Sequence, residues 1–427
     1  MRAGGSGHPA PPPAASRKLL QGNKTPLPDD DWSRQLDARS ASRYKWVVLA
    51  LTCCLCFLGN FTQYQVSAYA TQVMPVLGID AVGFSLLFLS PMLAAVFLSI
   101  PFGVLGDRLG PKVVVAIAFC VSTAGAFIRV ATTDSFGWQL AAMFLMGVGM
   151  AALTANNAKT LGLWFGERTG LAVGIFYAMS CFGIAAAQAS SLVIPSANDG
   201  YAASAFALLA CTVLWAIFDK NVASSIDIPS DIKDVSSLKV AARSRNVWLL
   251  AVAISFSLAA TTAFAGVLPQ ALELEKGLST EVSGSMAAML TVASIFGCLL
   301  TSVLCARLKQ QKAYLVGICL AGAAIMFASW LPNPSAGLWV LLALNGFVTA
   351  MMGPVMQAMP VSLPEIGSRY AGSAGGIIAE LSLLACYALP IAIASLSKGC
   401  YDVEMGLIAV CYALAAIPVL FLPKRTS

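Results

Sequence analysis

About twelve apolar tracts, each close to the length that crosses a bilayer, leave this chain very few folds to choose from. They run over residues 46–70, 82–105, 112–130, 137–158, 170–194, 201–218, 246–269, 282–305, 313–330, 337–360, 371–396 and 404–422. In hydrocarbon every backbone N–H and C=O must be satisfied within the segment, so tracts of ~20 residues read as helices. The breaks have physical causes. Asp80 closes the first tract, Thr132-Thr-Asp-Ser-Phe136 the third and Pro195-Ser-Ala-Asn-Asp-Gly200 the fifth. Leu331-Pro-Asn-Pro-Ser335 divides an otherwise charge-free stretch from Ala313 to Pro364.

Charge is scarce and placed. Only 11% of residues are charged and 58% are hydrophobic, against ~25% charged in a soluble domain. The net charge of +6 forms no basic stripe, so a nucleic-acid partner is not expected. Lys and Arg instead fall in short turns and tails. With the N-terminus inside, all but Arg129, Lys276 and Lys398 lie on the cytoplasmic side, and an even number of spans returns Lys424 and Arg425 there. Residues 1–43, with the segment Pro9-Ala-Pro-Pro-Pro13, read as a disordered cytoplasmic tail without a secretory signal. Residues 219–245 read as a polar cytoplasmic linker between six-helix bundles over 44–218 and 246–422, with 423–427 a short cytoplasmic C-terminus. The compact loops fit a bacterial inner membrane.

Enzyme and metal chemistry find little footing. Cys53, Cys54 and Cys56 cluster in the first span without a nearby His, and the one histidine is His8 in the tail. No metal, cofactor or catalytic residue is expected, nor a histidine proton relay.

The two halves repeat. Val104-Leu-Gly-Asp-Arg-Leu109 matches Val303-Leu-Cys-Ala-Arg-Leu308, and Leu145-Met-Gly147 matches Leu344-Asn-Gly346, both at an offset of 199 residues (104 to 303, 145 to 344). Like turns between like spans imply two bundles related by a pseudo-twofold axis along the membrane normal, with a site between them near the midplane.

Gly103-x-Leu-x-Asp107-Arg108-x-Gly110-x-Lys112, between the second and third spans, resembles the signature loop of the major facilitator superfamily. One position departs: Pro111 stands where the family pattern has a basic residue. The resemblance covers residues 44–423 and implies an all-α, twelve-helix, 6+6 transporter working by alternating access as a monomer in the bilayer. It also implies that Asp107 meets the N-terminus of the eleventh span near Ala371, making Gly103, Asp107, Arg108, Gly110 and Lys112 a gating latch. Gly103 is expected to permit close helix approach. Ala306 replaces the Asp in the second copy, so the latch should be asymmetric. Met143 and a proline-free Gly174–Gly183 segment depart from the multidrug-antiporter pattern, and spans two and eight lack the arginines of nitrate porters. The Arg129 end of the third span and Asn156-Asn-Ala-Lys159 resemble the cyanate and small organic-anion branches.

Polar groups inside spans are costly and mark function. Glu380, about nine residues into the eleventh span, is the candidate for proton coupling. Asn60, Gln63, Tyr64 and Ser67 share one face of the first span by their i, i+3, i+4, i+7 spacing. Asn60, Gln63, Tyr64, Asn157, Tyr177 and Asn345 are the candidates for solute contact. Arg129 is expected to pair with Asp134 or snorkel outward, and Lys159 to anchor the topology. The expected activity is proton-coupled symport of a small polar solute, with small organic anions among the candidates. An exporter of relaxed specificity and a transporter-like sensor remain the other readings.

Overall fold

The computed structural model describes residues 30–165, 169–218, 235–305, 311–331, 335–363 and 365–422, with side chains described from Tyr44 onward except at 107, 158, 163, 169–170, 235–238, 302–305, 311, 357–358, 360–362 and 367–373. Among them there is no strand. The helices in chain order are α1 (Asp30–Ala68), α2 (Ala70–Leu77), α3 (Ala81–Leu109), α4 (Pro111–Ala131), α5 (Phe136–Phe165), α6 (Thr169–Gln188), α7 (Ala197–Phe218) and α8 (Val235–Arg243). The remainder are α9 (Arg245–Leu274), α10 (Thr280–Cys305), α11 (Gln311–Ala328), α12 (Ala336–Ala350), α13 (Met352–Ser362), α14 (Gly367–Ser397), α15 (Tyr401–Leu414) and α16 (Ala416–Phe421).

Eleven of the described stretches are long and apolar enough to cross a membrane, and Lys312–Ala328 is a shorter apolar helix on the ninth tract. The ends follow local chemistry. Asp80 caps α3 by accepting from the Gly83 N–H at 2.8 Å. Ser244 caps α9 through the Val247 N–H. The tenth span is broken at Met351 and the twelfth at Ala415. In each, a proline three positions on (Pro354, Pro418) lacks the N–H that would continue the ladder.

α1 takes in residues 30–43 together with the first span. The linker region also ends in structure. α8 packs on α14, and its Ala241 is fully buried in the core of the second half. Residues 219–234 lie outside those described.

The chain forms two compact units, Met1–Val47 and Val48–Ser427. Inside the second, buried side chains gather into two large cores. One draws on residues between Leu49 and Trp215, the other on residues between Ala241 and Leu422. Tyr387 and Ile391 of α14 cross over to pack on the first core. The repeat is visible in helix packing. A Cβ on Gly147 of α5 would strike the backbone of Pro91 in α3, and one on Gly346 of α12 would strike the backbone of Leu290 in α10. Both residues of the second pair lie 199 positions beyond those of the first (147 to 346, 91 to 290). Large apolar side chains such as Phe97, Ile117, Phe206, Phe296 and Val340 remain exposed, a surface suited to lipid and not to water.

Candidate functional site

The two halves are bonded to each other toward one end of the bundle, the end carrying the α2–α3 and α9–α10 turns. Thr71 of α2 donates to Glu273 Oε2 of α9, and Thr280 of α10 donates to the same oxygen at 3.1 Å. Gln188, the last residue of α6, donates to the Ala265 carbonyl at 3.2 Å and accepts from Thr291 at 2.7 Å. Ser191 donates to the Thr280 carbonyl at 3.3 Å.

Toward the other end the halves part. A groove of about 610 Å³ opens between α3, α5, α9 and α14, lined by Val96, Ser99, Gly103, Trp248, Gly376 and Glu380 among others. Among the described residues, Glu380 is the one ionisable side chain in its lining. It shares a helical stripe with Tyr387 and Ile391, seven and eleven residues on, which pack against the first half. Glu380 therefore continues the inter-half face of α14 to the level where the partner surface falls away.

The solute-contact candidates divide. Asn60 bridges α1 to α6: its Nδ2 donates to Ser180 Oγ at 3.0 Å and to the Cys56 carbonyl at 2.8 Å. Tyr64 is buried edge-on to Phe88, ring centroids 5.3 Å apart, and lies near Cys181 and Cys386. Thr262 donates toward Cys386 from α9, so α1, α6, α9 and α14 meet around Tyr64. Gln63 is buried on the same helix. Tyr177, one turn before Ser180 on α6, is 55% exposed. Asn157 and Asn345 stand apart from this group as buried amides, with Asn157 Oδ1 and both Asn345 amide atoms lacking a partner.

The signature turn is built differently from expectation. Gly110 has φ 85°, a left-handed backbone that favours glycine, and Pro111 opens α4 directly after it. The close approach is at Gly106, not Gly103. A Cβ on Gly106 would come within 2.7 Å of Asn156 Cγ, whereas one on Gly103 would meet nothing within 4 Å. Asn156 Nδ2 donates to the Phe102 carbonyl at 3.1 Å, and Lys159 Nζ to the Gly106 carbonyl at 3.2 Å. Two α5 side chains thus satisfy carbonyls near the α3 C-terminus, where a cation is also favoured by the helix dipole. Arg108 is exposed and Lys112 half-buried. The side chains of Asp107 and Ala371, and residue Ala306, lie outside the described residues.

Arg129 neither snorkels nor pairs with Asp134. It is 0% exposed, donates to the Thr62 carbonyl at 2.7 Å and lies over the Tyr201 ring, while Asp134 is exposed. The carbonyl and the ring inside the bundle take the place of the outward route. Composition gave no signal for this; Tyr201 is 72 residues away in sequence (129 to 201).

Two packed helical halves, apolar outside and joined across a polar interface, define a multi-pass membrane transporter. A family model of the Major Facilitator Superfamily matches residues 49–390, and the chain belongs to that family. It is 22% identical over 357 residues to a nitrite extrusion protein of Bacillus subtilis, covering 82% of this chain and 87% of the relative. It is also 22% identical over 409 residues to SauU of Cupriavidus necator, named as a probable sulfoacetate transporter, covering 88% and 93%. Among solved structures, a bacterial homologue of the human lysosomal transporter Spinster, inward-facing and occupied, aligns with TM-score 0.75 at 14% identity, covering 90% of this chain and 99% of that one. The Escherichia coli fucose:proton symporter aligns at 0.61 and 17%, covering 89% and 99%. At these identities the structural matches speak to the fold.

Proposed function

We propose that this protein is a secondary active transporter of a small polar solute, working by alternating access, with Glu380 as the proton-coupling group. The observation that carries the reading is the place of Glu380. Among the described residues it is the only ionisable group lining the groove where the halves part, on the face of α14 that would be covered if they closed. A carboxylate covered by apolar α3 would be strongly disfavoured while charged, so closure favours the protonated form. From the positive-inside rule we read the bonded end as outward and the groove as cytoplasmic, with both termini cytoplasmic; a bacterial inner membrane is part of the same proposal.

Asn60, Gln63, Tyr64 and Tyr177 are proposed to contact solute around the α1–α6–α14 junction, with Asn157 and Asn345 as further contacts from the central helices. Two relatives named for nitrite and sulfoacetate favour a small anion. In that case proton symport would offset the charge carried inward. One of those names specifies extrusion, which keeps export as the second reading.

The test is transport in proteoliposomes with an imposed pH gradient and a panel of labelled small anions. Glu380→Gln should abolish gradient-driven accumulation while sparing solute exchange. Gradient-driven uptake equal to that of the unaltered protein would remove Glu380 from the mechanism.

A further inference from the structure

Arg129 carries a charge deep in the first half, and everything it touches is neutral. Its Nη1 donates to the Thr62 carbonyl at 2.7 Å and approaches Met143 Sδ at 3.7 Å. Its Nη2 reaches Gln65 Oε1 at 3.5 Å, and its Cζ lies 3.8 Å from the centroid of the Tyr201 ring. Among the described residues no carboxylate pairs with it. Asp134 and Asp199, the acids in the adjoining turn and first turn of α7, are both exposed and so screened by solvent. A fully buried, unpaired cation is among the most unfavourable arrangements a protein interior can hold.

The neighbouring groups point to what offsets it. Arg129 Nε, Gln65 Nε2 and the Tyr201 hydroxyl are sealed from solvent and have no hydrogen-bond partner. All three are donors. They are neighbours, because the guanidinium contacts both Gln65 and the Tyr201 ring, and a Cβ on Gly200 would lie 2.9 Å from Gln65 Nε2. Donors without acceptors around one positive charge describe a place for an anion. A cleft of about 300 Å³ touches this region at Tyr201, with Gln139, Gln72, Thr133 and Asn198 among its other lining residues. Gln139 ties its wall to the site by donating to the Arg129 carbonyl at 2.8 Å.

We propose that α1, α4 and α7 hold a small inorganic anion of the chloride or nitrate class, accepted by Arg129, Gln65 and Tyr201 and admitted through this cleft. All three donors are sealed from solvent, so a bulky organic acid does not reach them. The anion neutralises Arg129 and ties α4 and α7 to α1. The site lies near the bonded end, separate from the Glu380 groove, and its occupancy does not depend on Glu380.

The test is thermal unfolding of the purified full chain, with chloride, bromide or nitrate titrated against gluconate at constant ionic strength. The midpoint should rise and saturate with each small anion and stay flat in gluconate. The rise should vanish in Arg129→Gln. Tyr201→Phe keeps the ring beneath the guanidinium and removes only the hydroxyl; it should raise the half-saturating anion concentration about tenfold. If Arg129→Gln does not fold, Tyr201→Phe and Gln65→Leu carry the test. Equal midpoints in all salts for the unaltered protein, or an undiminished anion response in the variants that fold, would overturn the proposal.

Discussion

Glu365 sits in the short turn before α14, and its Oε1 accepts from Ser244 at 2.9 Å and from Asn246 at 2.7 Å. One carboxylate thus holds the turn to the corner where α8 meets α9. Partial burial pushes its carboxyl up, but its own backbone amide and the Asn246 and Ser244 donors outweigh this and hold it below the usual carboxylate range. A depressed pKa contributes stability above the unfolded value, ~4.3, and loses it as pH falls through the folded value. Glu365→Gln should therefore lower the thermal midpoint slightly at neutral pH, and the gap should close as pH falls below the usual carboxylate range. A gap that persists unchanged in acid would show that the charge is not what matters there. Lys159 makes a similar point about residue-level reading. Its position at the inner end of a span marked it as an anchor, yet its bond to the Gly106 carbonyl makes it part of the signature turn.

Helices were legible from sequence because the hydrocarbon slab imposes their length, and the charged or proline-bearing breaks fixed most ends within a few residues. The interruptions at Met351 and Ala415 were not, since each leaves the apolar tract unbroken. Of the candidate site, the shared face of Asn60, Gln63, Tyr64 and Ser67 was legible through helical spacing, and all four are buried. The partner of Asn60, Ser180 on α6, was not, because nothing in one helix encodes which helix faces it. The same limit explains Gly103 and Gly106: the motif supplied two candidate glycines, and only packing tells which one is approached. Where the repeat reveals a packing contact, the sequence offset becomes predictive. Gly147→Ala presses a methyl group on the Pro91 backbone, and Gly346→Ala presses one on Leu290, backbone that no rotamer change can move aside. Each should cost ~1–3 kcal/mol. The two losses in thermal or denaturant stability should be similar, whereas a large loss at one position and none at the other would show that the paired contacts are not equivalent.

For the whole molecule, the distribution of bonds between the halves favours one conformer. Closure at one end rests on Thr71, Glu273, Thr280, Gln188, Ser191 and Thr291, while the opposite end presents a groove. Under the proposed alternating access this set must break as the groove closes, so its strength biases the equilibrium. Thr71→Val with Glu273→Ala removes a charge-assisted bond, a class worth ~1.5–3 kcal/mol, enough for a population shift of about tenfold or more. The signature turn acts in the other direction if Asp107 latches the groove end, so Asp107→Ala should favour the conformer described here. Spin labels at Val76→Cys and Leu274→Cys, both exposed near the bonded end, read the balance as a distance distribution in a cysteine-depleted background. The Thr71/Glu273 pair should move weight to longer distances, and Asp107→Ala should move it to the shorter peak. Distributions unchanged by the Thr71/Glu273 substitutions would mean that these bonds accompany closure without holding it. A shift from Asp107→Ala toward longer distances would reverse the assignment of the latch.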